Sequence, residues 1–88
     1  MVRYILVVED GLIIFCDNAI ELFKNIIKHS GRELKVIEVK NMINLPRFIV
    51  EKLEKIFNAV EKIHEDYDVQ DNMIEYLLQH IFELIMKG

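Results

Sequence analysis

Between Pro46 and His64 the chain carries an apolar period that fits a helix and not a strand. Ile49, Leu53, Ile56, Val60 and Ile63 recur at spacings of four, three, four and three. Val50 and Phe57 widen the stripe, and Glu51, Glu54, Lys55, Asn58, Glu61 and Lys62 lie opposite. Steps of three and four return a side chain to the same side of a 3.6-residue turn, so this is an amphipathic helix with one broad apolar face. Pro46 fits its first turn, where a missing N–H is not needed, and holds Leu45 extended, so the start is sharp. The rest of the chain has to supply a surface that covers that face.

Its 88 residues allow one domain, spanning 1–88, which hides only roughly 60–70% of the surface its unfolded chain exposes. The apolar share of 52% exceeds the ~45–50% usual for globular domains, while charged residues keep the composition far from disorder. That surplus points to burial between subunits. Cys16 is the only cysteine, so no disulfide framework is expected and a reducing compartment is the simpler reading. Glu9 and Asp10 interrupt the N-terminal apolar run well short of a secretory or spanning length, and the expectation is a soluble, cytoplasmic protein with no membrane partner. Threonine and tryptophan are absent, serine occurs once, and Ile, Lys and Glu abound, a usage that resembles that of thermophile proteins.

Taken in order, Val2–Val8 and Leu12–Cys16 are apolar, β-branched and aromatic runs joined through Asp10-Gly11. Asp-Gly suits the positive φ angles of a type I′ turn, so residues 3–16 read as a β-hairpin. Neither strand alternates cleanly, which suggests that both faces are covered, or that one is covered by another subunit. Asp17 or Asn18 opens a helix, with Asn18 and Glu21 at capping-box spacing; Ile20, Phe23, Ile26 and Ile27 form its apolar face, and Gly31 ends it. Leu34–Lys40 reads as a third strand, parallel to the second after a crossover, with the most apolar first strand between them. Asn41–Leu45 reads as a connection. Asp68 caps a last helix in which Met73, Ile74, Leu77, Leu78, Ile81, Phe82, Leu84, Ile85 and Met86 leave only a narrow polar strip. The expected fold is α+β: a small three-stranded mixed sheet (hairpin, helix, strand) followed by a C-terminal antiparallel helical hairpin, ββαβαα. A last helix so apolar exceeds what one small subunit covers, so a homodimer is expected through Met73, Leu77, Ile81, Leu84 and Ile85.

Tyr4–Asp10 resembles the first strand of response-regulator receiver domains, whose acidic pair at the strand end helps hold magnesium, a role the likeness would give Glu9 and Asp10. It stops after Gly31: the phosphoacceptor position finds only Asn41, with Pro46 at another spacing, and the switch hydroxyl and strand-end lysine have no counterpart. Glu9 and Asp10 are therefore read as a hairpin tip. Asp66, Asp68 and Gln70 mimic the opening of a calcium loop, but the required glycine is Asp71 and the twelfth position is Leu77, so an EF-hand is excluded and a solvated turn expected. His29, His64 and His80 fall on three different elements. Cys16 lies beside Asp17, a carboxylate that raises a thiol pKa and quiets it. No phosphate loop can be built from Gly11, Gly31 and Gly88.

Charge is uneven: residues 1–23 carry −3, 24–55 carry +4 and 56–88 carry −5. Lys24, Lys28, Arg32, Lys35, Lys40 and Arg47 are the candidate polyanion contacts. The reading favoured is a non-enzymatic interaction or regulatory protein acting as a homodimer, with no cofactor or bound metal, and a second protein as a possible partner. One alternative is nucleic-acid binding through the basic segment. The other is a metal-assisted hydrolase whose acids come from both subunits.

Overall fold

The computed structural model describes residues 1–38 and 41–87. Strand β1 (Tyr4–Val8) forms the expected hairpin with β2 (Leu12–Cys16), but through a three-residue loop, Glu9-Asp10-Gly11, rather than a type I′ turn: of the three only Gly11 takes a positive φ, +83°, and its amide donates to the Val8 carbonyl at 2.9 Å, as in a type I turn closed by a left-handed glycine. Helix α1 (Ala19–Lys28) follows, then β3 (Leu34–Glu38) and β4 (Asn41–Leu45). The sheet order is β2-β1-β3-β4, with every neighbouring pair antiparallel. The first strand is thus internal, as its apolar run implies, and β2 and β3 share a direction without touching.

Several expectations need correction. The sheet has four strands, not three, and it is antiparallel between neighbours rather than mixed. Asn41–Leu45 is a strand and not a connection. Its Asn-Met-Ile-Asn-Leu sequence hides the strand because two of its five residues are asparagine and only Ile43 and Leu45 are turned inward enough to be shielded. The third strand is described over Leu34–Glu38, and the Val39–Lys40 end expected for it lies outside the described residues.

Helix α1 opens as its cap predicts: the Asn18 side chain accepts from the Glu21 amide at 2.8 Å, and Glu21 reaches back to accept from the Asp17 amide at 2.8 Å. Pro46 lies just outside α2 (Arg47–Tyr67), at φ −61° and ψ 153°, and its carbonyl accepts the first helical bonds from Ile49 and Val50. α2 runs three residues past His64. Asp68 then adopts the left-handed conformation at φ 50°, so it terminates α2 rather than opening α3 (Asp71–Lys87). The Gln70 carbonyl receives the first α3 amides instead. α2 and α3 pack on each other as a helical hairpin.

The three helices cover one side of the sheet. Tyr4, Leu6 and Val8 point into the core from β1, and Leu34 and Val36 do so from β3, all essentially inaccessible. Phe23 on α1 sits between Phe57 of α2 and Phe82 of α3 at ring-centroid separations of 5.9 and 6.3 Å, while Tyr4 meets Phe82 edge-on at 5.8 Å. Aromatic pairs in this range add about 0.5–1.5 kcal/mol each beyond burial, so this chain of four rings ties sheet and helices into one core.

Candidate interaction surfaces

The groups with chemistry to offer lie apart from one another. Cys16 is fully buried at the end of β2. Burial pushes its thiol pKa up, with the Glu21 and Asp17 carboxylates adding to the rise and the Asn25 side-chain amide opposing it, so the nucleophilic thiolate is suppressed. Tyr4 is likewise raised, chiefly by burial and against the hydrogen bond it accepts from Arg3 Nε at 3.2 Å. Asp10, at the hairpin tip, pairs with Arg32 at 3.4 Å. His29 caps the end of α1, and His64 on α2 meets Asp71 of α3 at 2.9 Å, a contact that follows from α2 folding back on α3. Among the described residues no three His, Cys, Asp or Glu side chains gather as metal ligands would.

The N-terminus of α1 is filled from within. The Glu75 carboxylate on α3 accepts from the Ala19 amide at 2.6 Å and the Ile20 amide at 2.9 Å, and Gln79 Nε2 donates to it at 2.8 Å. A carboxylate on the first-turn N–H groups satisfies orphan donors and complements the helix dipole. In the sequence Glu75 reads only as part of a polar strip, because its partners lie 55 and 56 residues away.

The basic residues sit on several elements. Lys24 and Lys28 stand one turn apart on the exposed side of α1. Arg32 is engaged with Asp10, and Arg47 donates to the Gly31 carbonyl at 3.3 Å. Lys35 lies on β3 among the residues that alternate away from the helices, and Lys40 lies outside the described residues.

Apolar exposure, by contrast, is grouped. On α3, Ile74, Leu78 and Phe82 are buried, Ile81 and Ile85 are half-buried against the core, and Met73, Leu77 and Leu84 are exposed along the adjoining flank. Of the five residues expected at a helical interface, three are therefore free and two already help to close the core. A second group was not singled out in the sequence: Ile13, Phe15 and Met42 are exposed on the side of the sheet that carries no helix. The unbroken apolar runs of the hairpin were its only sequence signal. Among the described residues no helix is long and apolar enough to cross a membrane. Compared with known proteins, the chain matches no family model, and no curated protein and no solved structure matches it.

Proposed function

We propose that this chain is a non-enzymatic interaction module that works as a homodimer, held together by apolar surface that a single copy leaves uncovered. The observation that carries the reading is a surplus of exposed apolar surface: among the described residues, thirteen large apolar residues are exposed against eighteen residues in the buried core. Singly exposed apolar side chains are ordinary. Here Met73, Leu77 and Leu84 share one flank of α3, and Ile13, Phe15 and Met42 share one face of the sheet, and it is contiguous patches that mark association. The non-enzymatic reading is supported by the buried Cys16 thiol, whose pKa is pushed up, and by the separation of the pairs His64–Asp71 and Arg32–Asp10.

The test is solution mass by size-exclusion chromatography with light scattering across a wide range of protein concentration. The expected result is a rise to twice the mass of one chain. A mass that stays at one chain at the highest concentration overturns the homodimer.

A further inference from the structure

From Arg47 to Lys87 the chain has neither glycine nor proline, yet it is divided into two helices. The break is Asp68-Val69-Gln70, and it is made by Asp68, the only residue other than glycine with a positive φ among the described residues, at 50°. A left-handed turn of this kind ordinarily falls to glycine, because a Cβ there crowds the following carbonyl. Nothing else in the segment forbids a helix.

The two helices also keep one register. In α2 the buried residues are Val50, Leu53, Phe57 and Val60; in α3 they are Ile74, Leu78 and Phe82, with Ile81 and Ile85 half-buried. Val60 and Ile74 are fourteen residues apart, which is two heptads. As one helix, the stripe runs through positions 50, 53, 57, 60, 64, 67, 71, 74, 78, 81 and 85 in steps of three and four. Its interruptions are His64, Tyr67 and Asp71 at the turn, and His64 and Asp71 bond to each other at 2.9 Å.

We propose, resting on the homodimer reading above, that α2 and α3 open at Asp68 into one continuous helix and that two copies so opened exchange their α3 helices to form the dimer. Arg47–Lys87 as one helix is about 60 Å long. Because its stripe lies on one side throughout, the first half stays on its own core while the second half lies on the core of the other copy. A twofold axis through the turn, normal to the paired helices, sets both cores on the same side of the pair.

A second copy is the occupant that fits, because it offers α3 the surface that α3 already covers in its own chain. Phe82 meets Tyr4 and Phe23 there, and Glu75 takes the Ala19 and Ile20 amides, each from the partner subunit. The His64–Asp71 pair is likewise remade between copies, since within one straight helix these two stand about 10 Å apart. An exchanged element keeps its contacts, so the hinge decides the balance. Two left-handed aspartates are released, and Ile63, Tyr67 and Met73, which are 50%, 76% and 61% exposed in a single copy, are gathered from both copies about the axis.

Sedimentation equilibrium of the wild type, Asp68→Gly and Asp68→Ala tests this. Asp68 is exposed, and neither substitution touches an apolar patch. Glycine favours the turn and alanine the continuous helix, so dimerisation is expected to be about tenfold weaker in the first and about tenfold tighter in the second. Equal dimerisation of all three overturns the exchange and leaves the homodimer standing; three monomers at the highest concentration remove both. A distance measurement reads the exchange directly. Spin labels on Lys55→Cys with His80→Cys, in chains diluted into an excess of unlabelled chain, are expected roughly 40 Å apart along one helix in the dimer and well short of that in the folded hairpin of the monomer. The short distance in the dimer overturns the exchange.

Discussion

Glu75 ties two helices together through its side chain. Its two carboxylate oxygens take the Ala19 and Ile20 amides, so α3 caps α1, a task that nearby residues perform in most helices. Hydrogen bonds to a charged group contribute about 1.5–3 kcal/mol, and Glu75→Ala is expected to cost about that much, lowering Tm by roughly 10 °C in a domain of this size. Glu75→Gln, which keeps one acceptor oxygen, should lose less; equal stability of all three proteins in thermal unfolding would remove the latch. Cys16 and Tyr4 make a second residue-scale prediction. Burial raises both pKa values in the folded chain, so the folded state favours their protonated forms. The stability they contribute is complete below the pKa of the unfolded thiol, ~8.5, and falls as pH rises, first as the unfolded thiol ionises and then as the unfolded phenol does near ~10. Urea unfolding at stepped alkaline pH should show that decline, and Cys16→Ala should remove its first part. The thiol's inertness was legible from the apolar run and Asp17, whereas the Glu75 latch was not, since no local pattern reports a partner so distant in the chain.

Among the elements, those with strong local signals form where the sequence places them, and those whose role depends on neighbours do not. The hairpin turns at Gly11, and α1 begins with Asn18 and Glu21, because both features are set by residues a few positions apart. Gly31 takes a φ of +94° just beyond α1, with nothing within 4 Å of where a Cβ would stand. Gly31→Ala therefore costs backbone strain without a clash, about 1–2 kcal/mol, read as a lower urea midpoint with an unchanged m value. Asp68 shows the limit of local reading. An aspartate between two helices serves as the end of one or the start of the next, and here the φ of 50° assigns it to the end of α2. β4 was missed for a related reason: a short strand with two asparagines is held by its pairing with β3, and pairing is not a property of the segment itself.

For the whole molecule, the division of the sheet into a covered and an uncovered side governs what the surface can bind. Lys35 stands on the uncovered side, Lys24 and Lys28 stand on α1, and Arg32 is occupied by Asp10. Arg47 donates to the Gly31 carbonyl next to Arg32, and Lys24 and Lys28 are the two that stand one turn apart on the exposed side of one helix. Measured by mobility shift at stepped salt, binding is expected to be weak, with a log–log slope no steeper than about two phosphate contacts give. A steep slope that Lys24→Ala with Lys28→Ala and Arg32→Ala removes would restore the basic segment as a functional surface.

The sequence alone determined the α+β class, the three helices, the hairpin with its central first strand, and the surplus of apolar residues, because each rests on periodicity, turn chemistry or composition, which are local or global sums. Tertiary structure alone decided the fourth strand, the Glu75 cap, and which apolar residues close the core and which stay exposed. Ile81 and Leu84 are equally apolar and three residues apart, yet one is half-buried and the other exposed. They differ in how they lie about α3 relative to its buried side, Ile74, Leu78 and Phe82, and that side is fixed by packing with Tyr4 and Phe23 against Phe82, residues brought together only by folding.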